Sequence, residues 1–332
     1  RCLQCGLHLL DASVRHLGTD INYQVLSNIY DRLKDKVDFY FHTPVSSIRA
    51  DEPGFTIQTE KGAFTADDCI VSVGRSGSKW METVCSDLNI PTKSNRVDIG
   101  VRVELPAPVF QNITDELYEG KIVYKTKKYQ DLVRTFCMNP KGAVVNENTN
   151  GIVTVNGHSY EGEEMQTENT NFALLVAKHF SEPFKDSNGY GESIARLSNM
   201  LGGGVLVQRF GDILDGKRTW DKELSRSNVR PTLKDAVAGD ITSAMPYRAM
   251  VNIINFIQAV DHVVPGFAAV ETLLYSPELK FYSNRVKMDT DLNTSIHNLH
   301  CLGDASGWTR GLMMASCMGV LMGRKLAEQE NA

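Results

Sequence analysis

The chain has 332 residues, enough to bury a sizeable core in two domains, with 42% hydrophobic residues, 23% charged residues and a formal net charge of −5. No basic excess points to nucleic acid, no polybasic run to an anionic membrane surface, and the longest weakly interrupted apolar run, 312–323, is too short to span a bilayer. Seven scattered cysteines fit a reducing cytoplasm better than a disulfide framework, and nothing resembles a signal peptide.

Cys2 and Cys5 form one C-x-x-C; a redox C-x-x-C normally opens a helix after a strand, only Arg1 stands before Cys2 in this sequence, and the pair is read as structural. No second Cys or His pair stands at zinc spacing, so no metal site is expected. Residues 19–36 read as a helix, capped by Thr19 or Asp20, with Ile21, Val25, Ile29 and Leu33 on one face. Strands are expected at 37–41 and 43–48, split near Pro44, and a hairpin at 55–58 and 63–66 around Glu60-Lys61-Gly62. A short apolar strand, 69–73, ends at Gly74-Arg75-Ser76-Gly77.

From Val97 the texture becomes β-rich. Strands are expected at 97–105, 121–124, 132–137, 143–145, 152–155 and 171–179, then helices at 190–201 and 250–260, then strands at 272–275 and 286–288. Gly202-Gly203-Gly204 leads into a strand but lacks the helix and the later acidic residue of a dinucleotide fingerprint, and no G-x-G-x-x-G follows a strand anywhere.

The segment 298–325, NLHCLGDASGWTRGLMMASCMGVLMGRK, carries the most information. A buried strand ends at Gly303-Asp304, and a helix opens after Gly307 and Gly311. A carboxylate at a strand tip beside a helix N-terminus makes a site for a polar, anionic ligand. The helix's free N–H groups and dipole suit phosphate or a developing oxyanion, and glycine permits close backbone approach. An ordinary strand–turn–helix with an exposed Asp satisfies the same pattern.

That order resembles the C-terminal FAD motif of flavoproteins with two dinucleotide-binding domains. The segment 66–77, ADDCIVSVGRSG, resembles their acid–apolar run–A-T-G strand, with Val71-Ser72-Val73-Gly74 at its end. The resemblance extends over essentially the whole chain from His16-Leu17-Gly18-Thr19-Asp20. It takes in VDIGVRVE at 97–104, LVRTFCMNPKG at 132–142, IVTVNGHSY at 152–160 and NMLGGGVLVQRFGD at 199–212. The family it resembles is that of bacterial FAD-dependent dehydrogenase-like flavoproteins, known as uncharacterised NAD/FAD-utilising dehydrogenases. Its members carry an N-terminal G-x-G-x-x-G unit that does not occur in this sequence.

The resemblance implies an α/β fold. A glutathione-reductase-like, Rossmann-type FAD-binding domain from 1–96 and 281–332 is interrupted by a β-rich substrate domain, 97–280. It implies FAD as cofactor, with Val45 at the adenine edge and Gly74 and Arg75 at a strand end near the cofactor. Gly303 and Asp304 would hold the ribityl chain, and Gly307, Arg310, Gly311, Leu312 and Met313 would face the ring. Cys137 is either a flavin-side thiol activated by a neighbour such as Arg134 or a buried structural cysteine. His158 is either a proton-transfer group or a turn histidine bonded to backbone. Arg230 and Arg248 either recognise a carboxylate or form structural ion pairs.

The expected activity is hydride transfer from a small-molecule substrate to flavin N5, with electrons leaving to an unidentified acceptor, in the cytoplasm and without nucleic-acid or membrane partners. The alternative is a non-catalytic remnant or binding module that keeps the fold without FAD.

Overall fold

The computed structural model describes residues 1–10, 19–51, 53–117, 119–149, 151–160, 162–181, 183–184 and 186–330. Residues 16–18, where the resemblance begins, lie outside the described residues, as do the side chains of Thr19 and Asp20, the expected helix caps.

In chain order the strands are β1 (Leu7–Leu10), β2 (Val45–Asp51), β3 (Gly54–Thr59), β4 (Gly62–Ala66), β5 (Cys69–Val71), β6 (Thr92–Lys93), β7 (Val97–Pro106), β8 (Lys121–Lys125), β9 (Leu132–Asn139), β10 (Ala143–Thr149), β11 (Ile152–His158), β12 (Asn169–Lys178), β13 (Leu206–Arg209), β14 (Val237–Ala238), β15 (Leu273–Lys280), β16 (Arg285–Val286) and β17 (Leu299–Cys301). The helices are α1 (Thr19–Leu33), α2 (Ser78–Asp87), α3 (Ala107–Thr114), α4 (Ser187–Gly202), α5 (Phe210–Leu214), α6 (Asp221–Arg226), α7 (Tyr247–Asp261) and α8 (Leu312–Glu330). The fold is mixed α/β with one large sheet.

The chain divides into two units, Arg1–Asp11 with Asn95–Tyr282, and Ala12–Ser94 with Ser283–Ala332. The first is built on an eight-stranded sheet, ordered β1-β8-β9-β12-β7-β15-β13-β14 and antiparallel except for β13 and β14. Residues 1–11 were expected to join the second unit. They stand in the first because β1 pairs with β8, with Leu7 opposite Tyr124 and fully buried.

Strict alternation along β7 gives the sheet two unlike faces. Val97, Ile99, Val101, Val103 and Leu105 join a core with Met250, Ile253, Phe256, Ile257 and Val260 of α7, whose spacing is helical. In that core Phe110, Phe172 and Phe267 meet with ring centroids 4.8, 5.3 and 5.5 Å apart. Asp98, Arg102 and Glu104 take the intervening positions, and they are buried too. The β10–β11 hairpin packs across that polar face, β11 lying on β7, β9, β12 and β15. The glycine cluster at 202–204 stops α4: Gly203 is its left-handed C-cap at φ 67°.

The second unit has a parallel pair β5–β17, an antiparallel sheet β2-β3-β4 and a short pair β6–β16. Its core joins Ile48, Phe55, Val71, Met81, Val84, Val286 and Leu299. The hairpin β3–β4 forms as expected. The strand expected at 37–41 does not: Tyr30, Phe39 and Phe41 pack ring on ring, with Phe39 and Phe41 stacked at 5.7 Å, and no ladder pairs this segment. Helix α2 was missed, although Met81, Val84 and Cys85 recur at helical spacing. The Gly-Arg-Ser-Gly-Ser run before it reads as a longer loop.

Candidate functional site

Strands β5 and β17 run parallel, with Cys69 opposite Leu299 and Val71 opposite Cys301, and the Leu302 N–H donates to the Val71 carbonyl at 2.9 Å. Parallel pairing puts both strand ends on one edge, so the two glycine turns that follow are neighbours in space. A Cβ on Gly303 would stand 3.4 Å from Ser72 Oγ. Gly74, at φ 63°, is exposed with open space where a Cβ would point. Crevices at the carboxyl ends of parallel strands are the usual ligand position in α/β sheets.

After β17 the chain makes a 3-10 turn, Asp304–Ser306, fastened by Ser306 Oγ donating to the Gly303 carbonyl at 2.6 Å. Trp308 anchors the next step, its Nε1–H donating to Val286 O at 2.7 Å while the Arg285 guanidinium sits 4.8 Å over its ring. Asp304 ties the turn to the helix: Thr309 Oγ1 donates to Oδ1 at 2.8 Å and the Gly311 N–H to Oδ2 at 3.0 Å. Those bonds leave acceptor capacity on the half-buried carboxylate, which has about four lone-pair directions.

Helix α8 starts directly after Gly311, whose φ is 88° and whose Cβ position is open. Its first-turn N–H groups, at Leu312, Met313 and Met314, have no acceptor within the helix. Their side chains are exposed, Leu312 at 72% and Met313 at 75%, so the helix opening faces outward.

Gly303 thus lies against Ser72, two residues before Gly74, and Asp304 is bonded to Gly311 at the start of α8, with exposed Arg75 following Gly74 along the chain and half-buried Arg310 preceding Gly311. Gly307 serves packing: a Cβ there would lie 2.6 Å from the carbonyl oxygens of Ser283 and Asn284. Val45 opens β2 opposite Thr59, in the β2-β3-β4 sheet and outside the β5–β17 pair. Thr309 and Ser72 were not among the expected site residues. Thr309 was findable only as a hydroxyl five residues after the Asp.

Cys137 and His158 belong to the first unit. Cys137 and Met138 together stand opposite the single residue Phe172, a bulge in which Cys137 takes φ 49°. The Cys137 N–H donates to Glu119 Oε1 at 2.9 Å, and its carbonyl accepts from Asn139 Nδ2 at 3.0 Å and Arg102 Nη1 at 3.3 Å. Arg134, the expected activator, is engaged elsewhere: it bonds Asp98 at 2.6 Å and lies over the Phe136 ring. His158 ends β11, exposed, opposite Ala143. Arg248 grips Asp131 with two bonds of 2.7 Å, the structural reading of that arginine, and Arg230 is exposed. Among the described residues no group of three or more His, Cys, Asp or Glu is placed to hold a metal ion, and no helix is long and apolar enough to cross a membrane.

Residues 97–280, more than half of the chain, match the model of the family described as FAD-dependent protein, C-terminal domain-like. The chain belongs to this family. FAD is the cofactor of this FAD-dependent protein, and the residues around Asp304 fit part of it: a carboxylate with acceptor capacity for hydroxyls, two open glycine turns and a free helix N-terminus. An uncharacterized protein of Clostridium beijerinckii is 24% identical over 345 residues, a match covering 96% of this chain and 62% of the relative. The chain therefore spans under two thirds of that relative's length.

Among solved structures, CtdE in complex with FAD and substrate 4 matches with 10% identity and a TM-score of 0.29, covering 87% of this chain and 49% of that one. A salicylate hydroxylase substrate complex matches with 11% identity and a TM-score of 0.31, covering 85% and 50%. Likeness this slight decides nothing about the present chain.

Proposed function

We propose that this protein is an FAD-dependent oxidoreductase. Its second unit would be part of a glutathione-reductase-like, Rossmann-type FAD domain, and residues 97–280 a substrate domain. The observation that carries the reading is the parallel register of β5 and β17, after which Gly303 lies against Ser72 and Asp304 binds Gly311 at the start of α8. Bound FAD supplies hydride acceptance at N5 from a small-molecule substrate, with the electrons passed to a separate acceptor.

This chain's residues do the holding. Asp304 would accept hydrogen bonds from the hydroxyl-bearing ribityl chain, with Thr309 and the Gly311 N–H fixing its carboxylate. The first N–H groups of α8 stabilise negative charge through their dipoles. Cys137 and His158 are the proposed proton-transfer groups for the substrate. On this reading the protein works in the cytoplasm.

Purified protein titrated with FAD should bind it, read as flavin fluorescence quenching and a shifted visible band. Asp304→Ala should raise the dissociation constant about 10–100-fold, the worth of hydrogen bonds to a charged acceptor. Its far-UV circular dichroism should stay unchanged. Saturable binding with equal affinity in both proteins would remove Asp304 from the site, and no binding at all would favour a binding module without the cofactor. Cys137→Ser and His158→Asn should slow turnover while flavin retention stays at the wild-type level.

A further inference from the structure

We propose that Cys2 and Cys5 form a redox dithiol that exchanges with an anionic, peptide-like disulfide seated in the cavity beside Cys5. The C-x-x-C spans a 3-10 turn, Leu3–Cys5, entered from Cys2 at φ −53° and ψ −51°. With three residues per turn, side chains at i and i+3 lie one above the other, so both thiols leave the same side. The Cys5 N–H donates to the Cys2 carbonyl at 2.9 Å. A turn closed in this way keeps the two Cα atoms within about 7 Å, the reach of a disulfide.

The turn is already set. The Leu7 N–H donates to the same Cys2 carbonyl at 3.0 Å, and Gly6, left-handed at φ 72°, carries the chain into β1. Forming the bond therefore needs side-chain rotation and no new chain path. Both thiols are free and half-buried, whereas Cys69, Cys85 and Cys301 are buried, with burial pushing the Cys69 thiol up to about 11.

Cys5 lines an open cavity of about 650 Å³ together with Tyr124, Lys127, Asn255, Gln258 and His262. That volume lies within the range of small-molecule sites, roughly 300–1,000 Å³. Its lining offers one fixed cation, one imidazole and side-chain amides, which match carboxylates and peptide groups on the ligand. The exchange balances. The Cys5 thiolate attacks one sulfur of the incoming disulfide and expels one small thiolate, which takes up the proton that Cys5 gave up. The Cys2 thiolate then attacks Cys5 Sγ, forming the Cys2–Cys5 bond and releasing the second small thiol. Two electrons and two protons pass to the incoming disulfide.

Oxidised and reduced glutathione mixtures near neutral pH, followed by acid quench, alkylation and peptide mass spectrometry, test this on the full chain. Cys2 and Cys5 should lose alkylation together, with loss of two hydrogens, and regain it in reduced glutathione. Continued protection of Cys69, Cys85 and Cys301 reports an intact fold. The proposal fails if both cysteines stay alkylatable in the most oxidising mixture, or if only single mixed disulfides accumulate on the pair. Lys127→Glu should slow exchange with oxidised glutathione several-fold and leave exchange with uncharged hydroxyethyl disulfide unchanged; equal effects on both, or on neither, would overturn the cavity assignment.

Discussion

Arg102 is the largest fully buried side chain among the described residues, and its partners explain why it is tolerated. Its guanidinium donates to Glu278 at 3.0 Å, Asn171 at 2.8 Å, Asn156 at 3.2 Å and the Cys137 carbonyl at 3.3 Å. Burial would raise the Glu278 carboxyl, but the Arg102 and Lys280 charges outweigh it and hold that group below its ordinary range. A Cβ on Gly157 would strike Asn171, Arg102 and Asn139, so the hairpin reaches this cluster only because that residue is glycine. Arg102→Met leaves Glu278 buried beside Lys280 alone and should cost about 3–5 kcal/mol in urea unfolding. Adding Glu278→Gln should recover part of that loss, with a coupling of about 0.5–3 kcal/mol in a double-mutant cycle. Additive losses would show that the two side chains act separately. None of this was legible beforehand: Arg102 sits in VDIGVRVE as an ordinary alternating polar position, and only the sheet's second cover buries it.

At the scale of elements, the turn from β17 to α8 was read correctly as a strand, a carboxylate and a helix, but its glycines divide the labour differently from the expectation. Gly303 and Gly311 take left-handed backbone beside the strand ends, whereas Gly307 brings the turn against residues 283–285. Gly307→Ala meets two carbonyl oxygens at 2.6 Å as well as φ 75°, so it should lower the melting temperature sharply. Gly311→Ala meets open space and should cost only the backbone term, about 1 kcal/mol. Equal losses in thermal melts would contradict the close packing at Gly307. The bulge between Tyr275 and Glu278 is a second case. It resets the alternation of β15 so that Tyr275, which bonds Glu104, and Glu278, which bonds Arg102, both point to the polar face of the sheet. Period-two reading of 272–275 could not foresee that reset.

At the scale of the whole molecule, stability should weaken in acid in a way that Asp131 reports. The Arg248 fork, with Asn252 and Lys178, holds the Asp131 carboxyl down at about 2 against the opposing effect of burial. A carboxyl depressed on folding stabilises the native state above its unfolded value, near 4, and loses that contribution as pH falls through its folded value. Asp131→Asn should therefore lower unfolding free energy by about 1 kcal/mol above pH ~5, a modest figure because Arg248 is open to water. The gap to wild type should shrink as pH falls below ~4 and close only below pH ~2; a gap constant across that range would refute the assignment. The apolar side of α1 also differs from expectation. Val25, Ile29 and Leu33 have the spacing of a core face, yet they are exposed, as are Leu312, Met313, Val320 and Leu321 of α8. Sequence by itself determined the periodicities, the β-rich block from Val97 and the Gly-Asp-helix motif, because these depend on neighbours along the chain. Tertiary structure alone decided that β5 and β17 run side by side, that Arg102 is buried, and that a cavity opens beside Cys5. Parallel pairing, burial and cavity walls join residues far apart in sequence, and no local pattern encodes which of them meet.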